Sequence, residues 1–200
     1  MNPVLSILTP SIHSRAREVD YLCSFINRQI IDPATVEHLV LIDNKSRTVG
    51  EKRDALLRIA CGDYVAFVDD DDWISADYVP ALVAAAKVFC PSVITFLQEA
   101  TINLNRTETE NQKAIIEFKL GNPNEPFRDA ATVKRNAWHI CAWRREIAIT
   151  SHFPPTNYGE DWAFAAPLCA MKNMLTEHHI PEVLHYYRHD IRFSAAPPQL

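Results

Sequence analysis

Four consecutive aspartates, Asp69 to Asp72, stand in the segment VDDDDW at 68–73, directly after an apolar run. Neighbouring carboxylates repel one another, and a compact fold concentrates that repulsion unless a cation or abundant water relieves it. The D-x-D spacing of Asp69 and Asp71 lets both face one divalent ion, which can also take two oxygens of a diphosphate. The plain alternative is a solvated acidic turn leading into a helix. A second acidic pair, Glu160 and Asp161 in YGEDWAF at 158–164, is either a favourable helix start or the seat of a general base. Asp43, closing the run HLVLID, can accept a hydrogen bond from an imide N–H such as uracil N3–H, a proton that cytosine lacks. It can equally form an Asx turn before Asn44. The late segment HYYRHD at 185–190 adds His185, Arg188 and His189.

These groups need a scaffold to bring them together. VLSILT at 4–9, a helical pattern carrying Leu22, Cys23, Phe25, Ile26 and Ile30, and HLVLID at 38–43 read as a βαβ unit. A helix near 51–60 and a strand YVAFV at 64–68 follow. The next helix is expected to be capped by Ser75, with Asp77 in its first turn and Val79, Leu82, Val83 and Ala86 inward; a strand SVITFL at 92–97 comes after it. Near-continuous apolar strands separated by helices imply a mostly parallel sheet covered on both faces, with ligands at the carboxyl ends of its strands. Thr9 and Pro10 are expected to end the first strand, where exposed backbone groups line a base pocket. From 98 to 135 the pattern turns polar and β-prone, a hairpin or mobile flap with turn signals at Gly121, Asn122 and Pro123. Three of the four glycines, Gly50, Gly62 and Gly159, fall at motif edges where backbone must approach closely.

Two hundred residues, 48% hydrophobic and 22% charged, suit one compact domain. The formal net charge of −5 provides no global field for a polyanion, so nucleic acid is an improbable partner. Five cysteines without a CxxC pair argue against a disulfide framework and a structural zinc site. With no basic leader and no apolar run of about 18 residues, the expected location is cytoplasmic, at most peripheral to a membrane.

The stretch GEKRDALLRIACGDYVAFVDDDDW at 50–73 resembles the nucleotide-sugar-binding core of glycosyltransferase family 2, where an arginine-containing helix, an A-x-G-D-Y turn and a D-x-D strand end recur in this order. Ala60, Gly62, Asp63 and Tyr64 match the turn, Arg53 stands where the family has an arginine, and Asp54 replaces its usual asparagine. LSILTPS at 5–11 and HLVLIDNKS at 38–46 extend the match across about the first 90 residues, and beyond them it is sparser. The resemblance implies an α/β fold of the GT-A type in a single domain, with a donor half at 1–97 and an acceptor half at 98–200. It implies an inverting transferase that takes a sugar from a nucleotide-diphosphate donor, a UDP-sugar on the Asp43 match, to an unidentified hydroxyl. Thr9, Pro10, Asp43, Arg53, Asp69, Asp70 and Arg188 would bind the donor. Asp71, Asp69 and His189 would hold Mn2+ or Mg2+. Asp161 would be the general base, with Glu160 orienting the acceptor or a partner side chain.

Indole faces suit the apolar face of a pyranose, so Trp138 and Trp143, with His139, are candidate sugar-pocket residues, although buried tryptophans more often fill core. A nucleotidyltransferase would need a glycine-rich, lysine-containing loop after the first strand, and TPSIHSRAR has no glycine. A non-catalytic sugar- or nucleotide-binding module is the other alternative, and the intact Glu160-Asp161 pair speaks against it. The acceptor cannot be read from the polar 98–135 segment.

Overall fold

The computed structural model of the chain describes residues 2–103 and 111–190. Strand β1 (Leu5–Ile12) leads through α1 (Ala16–Asn27) to β2 (Val36–Asp43), and α2 (Val49–Ile59) leads to β3 (Tyr64–Phe67). β1 pairs in parallel with both β2 and β3. Each crossing helix buries one stripe on this sheet, Val19, Leu22 and Ile26 from α1 and Leu56 and Leu57 from α2. A capping box starts α2: the Thr48 hydroxyl accepts the Glu51 N–H and the Glu51 carboxylate accepts the Thr48 N–H.

The chain then forms the two-residue β4 (Trp73–Ile74), α3 (Tyr78–Phe89), β5 (Val93–Asn103), β6 (Gln112–Phe118) and β7 (Thr132–Arg135). After these come β8 (Ala142–Arg144), the single turn α4 (Arg145–Ala148), α5 (Glu160–Ala170) and β9 (Glu177–Asp190). β8 lies between β3 and β5 and is antiparallel to both, so β5 runs in the same sense as β1, β2 and β3. The central sheet β2-β1-β3-β8-β5 is therefore mostly parallel, with helices packed on it, as the apolar strands require. β6 joins β5 antiparallel, β7 joins β6 in parallel, and β9 runs parallel along β5. Among the described residues no helix is long and apolar enough to cross a membrane.

Three boundaries differ from the sequence reading. β1 does not end at Thr9 and Pro10 but continues to Ile12. The Leu8 carbonyl accepts from Val68 N–H, so the even-numbered residues of β1 face β3. The N–H that Pro10 lacks would point past the end of β3, and the ladder to β2 is undisturbed. Ser75 does not cap α3. Trp73 and Ile74 are drawn into β4 against β9, Ser75 N–H donates to the Leu184 carbonyl, and the helix begins after Asp77. Finally, β5 runs beyond Leu97 to Asn103 because β6 and β9 pair with its second half. Gln98 to Asn103 are thus sheet, in a β5–β6 pairing whose connection at 104–110 lies outside the described residues. Gly121, at φ +87°, turns the chain after β6.

Between β1 and β2 the Thr9 hydroxyl lies 2.9 Å from His38 Nε2. Burial pushes His38 down to about 4, from an ordinary value of about 6.5. As pH falls, the unfolded chain takes this proton first. Stability tied to His38 is therefore present above about pH 6.5 and is lost as pH falls toward about 4. Urea unfolding at neutral pH and near pH 4.5 should show the wild type losing about 1–3 kcal/mol more than His38→Gln across that window. Parallel loss in the two proteins would show that the imidazole is not the group responsible.

Candidate active site

The carboxyl ends of β1, β2 and β3 meet α2 at one rim of the sheet, and two adjacent cations of α2 serve different strands. Successive helix residues point about 100° apart, so Lys52 and Arg53 diverge. Lys52 Nζ donates to the Ser11 carbonyl at 2.8 Å and to Asp43 at 3.1 Å. Arg53, with a side chain only 5% exposed, turns the other way. Its Nη2 donates to both oxygens of Asp69, at 2.8 and 2.6 Å, while Nη1 donates to Glu160 on the first turn of α5. Burial opposes ionisation of Asp69, but the Arg53 guanidinium outweighs it and holds the carboxyl below its ordinary range. Burial raises Glu160, against the same guanidinium.

The four aspartates fan into four environments. Asp69 meets Arg53. Asp70 is buried, accepting from Ser11 Oγ at 2.5 Å and from Arg15 Nη1 at 2.6 Å. Asp71 takes a 2.9 Å bond from the same Arg15 nitrogen and keeps 52% of its side chain exposed. Asp72 turns into the protein, with Oδ2 3.5 Å from His185 Nε2. Burial and the charges of Asp69 and Asp71 push Asp72 well up; burial pushes His185 down to about 4, so its ring is neutral. Gln98 Nε2 lies 2.9 Å from His185 Nδ1 and can only donate, which leaves the imidazole proton on Nε2, facing Asp72.

Asp43 is held by its own loop. Oδ1 accepts from Lys45 N–H and Lys52, and Oδ2 accepts from the Ser46 hydroxyl and Arg47 N–H. Partial dehydration opposes ionisation, but these donors hold Asp43 down to about 2. Lys45, at φ +62°, completes the Asx-type turn.

Asp161 follows Glu160 on α5, just after Gly159, which enters the helix at φ +73°. Its Oδ2 accepts from the Trp138 indole N–H at 3.3 Å. His139, next to Trp138, packs against Phe67 with both ring nitrogens buried and without a hydrogen-bond partner among the described residues. Burial and the Arg53 charge push it down to about 3, leaving a neutral ring.

The remaining candidate residues divide between β1, β9 and the core. Thr9 and Pro10 lie within β1, with the Thr9 hydroxyl turned to His38; Ser11, one residue on, supplies the strand's contact to the acidic run. Arg188 is exposed and reaches Asp72 through its backbone N–H. The imidazole facing the acidic run belongs to His185, while His189 stacks beside Tyr187, ring centroids 6.2 Å apart. Among the described residues no three His, Cys, Asp or Glu side chains form a ready metal cage. Trp143 is core, fully buried, with its indole N–H on the Trp138 carbonyl. The sequence reading passed over Arg15, Lys52 and Gln98. A lysine-arginine pair on a helix crossing two strands was the available sign for Lys52.

A mostly parallel α/β sheet with an acidic run at the end of its third strand, tied by a helix arginine to a downstream Glu-Asp pair, gives the chain a fold of the GT-A type. Its sequence matches the profile of glycosyl transferase family 2 over residues 27–150, and the chain belongs to that family. The structure of S. aureus TarS 1–349 in complex with UDP is similar, with a TM-score of 0.66 at 15% identity over 92% of this chain and 60% of that one. For the complex of TarS 1–349 with UDP-GlcNAc the TM-score is 0.60 at 14% identity, covering 92% of this chain and 58% of that one. For a further S. aureus TarS structure the TM-score is 0.65 at 14% identity, over 92% of this chain and 36% of that one. The chain thus spans less than two thirds of these structures, and at such identities the likeness is one of fold. No curated protein matches the sequence significantly.

Removing the guanidinium strands two carboxylates against the protein interior. Arg53→Met should cost about 3–5 kcal/mol in urea unfolding, and Arg53→Lys, which keeps the charge but loses the fork, should recover only part of it. Wild-type stability in Arg53→Met would contradict the network.

Proposed function

We propose that this chain transfers a sugar from a UDP-sugar to a hydroxyl acceptor with inversion at the anomeric carbon, Asp161 acting as general base. One observation carries the assignment. Of the two carboxylates that open α5, Glu160 is taken by Arg53, whereas Asp161 has no ion pair among the described residues and accepts there from the Trp138 indole and the Trp162 N–H. A carboxylate in that position is able to take the proton of an attacking hydroxyl while Arg53 and Glu160 keep α5 fixed against the donor rim. A single displacement inverts the configuration.

The donor reading rests on the family, on the UDP and UDP-GlcNAc complexes of the similar TarS structures, and on Asp43 at the end of β2. All four acceptor positions of Asp43 are in use, so accepting a uracil imide N–H means exchanging one loop bond for it. The acidic run suits a divalent cation. Partial dehydration and the charge of Asp69 raise Asp71 against the Arg15 cation, so carboxylate repulsion is only partly relieved beside a half-exposed oxygen pair. Asp71, with Asp69, would hold Mn2+ or Mg2+, which when bound supplies positive charge for the departing diphosphate.

Asp161→Asn keeps the shape of the side chain and removes its basicity. It should retain UDP affinity and lower transfer by roughly 10²–10⁴. Near wild-type turnover, or a product of retained configuration by NMR, would defeat the assignment. Calorimetry should also show UDP binding strengthened by manganese in the wild type and insensitive to it in Asp71→Ala. Equal binding with and without manganese in the wild type would remove the metal from the proposal.

A further inference from the structure

We propose that a cleft along α5 is the acceptor subsite and that it takes a saccharide; this rests on the transferase reading above. The cleft encloses about 330 Å3 between residues 136–138 and α5, at the lower end of the roughly 300–1,000 Å3 common for ligand pockets. Trp138 and Trp162 both line it. Since the Trp138 indole N–H donates to Asp161, one wall of the cleft is bonded to the carboxylate assigned as base. Trp162 follows Asp161 directly and is 59% exposed, an indole plane left in water. Ala166 and Ala170, four residues apart on one helix face, keep the cleft open by being short.

The polar groups favour a hydroxylated ligand over an acyl chain. Asn136 Oδ1 accepts from the N–H groups of Gly121 and Ala137, both at 2.9 Å, and Asn124 Oδ1 accepts from Asn136 N–H at 3.0 Å. With their oxygens occupied, both carboxamides offer NH2 groups to the cleft, and Lys172 adds a further donor. Donors thus stand along the cleft, and an acceptor, Asp161, is bonded to the Trp138 indole that forms part of its wall. A saccharide matches this: its C–H face covers an indole, its hydroxyl oxygens accept from the amides, and one hydroxyl proton faces Asp161. An acyl chain would leave the amide donors unpaired.

The four tryptophans make the location directly readable. In full-length protein carrying 15N-labelled tryptophan, titration with cellobiose, chitobiose, maltose and lactose at millimolar concentrations should shift the Trp138 and Trp162 indole signals with at least one sugar. Trp143, fully buried, and Trp73, exposed but outside the cleft lining, should move less. Trp162→Ala should weaken that binding by roughly tenfold or more. Ala166→Trp, which fills the cleft, should abolish the shift, with an unmoved Trp143 signal reporting an intact core. No shift with any of the four sugars, a shift confined to Trp73, or binding undiminished in both variants overturns the proposal. The transferase reading fails by a separate result, the absence of turnover of any UDP-sugar, which leaves the indole shifts readable.

Discussion

The site depends on one buried guanidinium. Arg53 meets Asp69 at the end of β3 and Glu160 at the start of α5, joining residues from the two halves of the chain through a single planar fork. Such a cation is stable in the interior only while its partners are held in register, because each removed partner leaves a desolvated charge behind. The register is set by close packing of α2 on the segment that precedes α5. A Cβ on Gly50 would come within 1.8 Å of the Pro154 carbonyl oxygen, and Gly50 N–H donates to the Thr156 carbonyl at 3.0 Å. Gly50 is therefore a packing requirement as firm as the ion pair, and Gly159, with open space around it, is required instead for its left-handed turn.

Around that fork the acidic run is partitioned rather than pooled. Asp69, Asp70, Asp71 and Asp72 answer respectively to Arg53, to Ser11 with Arg15, to Arg15 with solvent, and to His185. Only Asp71 presents a largely exposed carboxylate, and only Asp72 is driven inward against a neutral imidazole. One short stretch of chain thus provides both a surface for positive charge and a buried anchor for β9. That division explains how four adjacent carboxylates coexist at a strand end.

The donor half was legible because its signals are local. Apolar strands, an amphipathic spacing and motif glycines each act within a few residues, and β2, α2 and β3 fall close to where the periodicity puts them. The misplaced boundaries share another origin. Ser75 lost its cap because β9, more than a hundred residues on, pairs with residues 73–74, and β5 gained Gln98 to Asn103 because β6 and β9 flank them. That the imidazole facing Asp72 is His185 has a similar origin. His185 and His189 share one face of β9, but β4, which directly follows Asp72, pairs with residues 185 and 186, and that long-range pairing brings His185 to the acidic run. Arg15 and Gln98 could not be found from spacing at all, since their partners lie 55 to 87 residues away.

That distance along the chain also fixes the order in which the molecule can assemble. β1, β2 and β3 come together within the first 67 residues, while the Arg53–Glu160 contact closes a span of 107 and β9 must return to β5 across more than 80. Loop-closure entropy makes such long-range pairings late and slow. A nascent chain emerging from a ribosome therefore passes through a stage in which a three-strand nucleus already displays Asp69 to Asp72, with neither Glu160 to share Arg53 nor His185 to cover Asp72. In that interval the acidic strand end and the uncovered edge of β5 are open together, which makes it the stage at which a chaperone or a misdirected strand would find the chain.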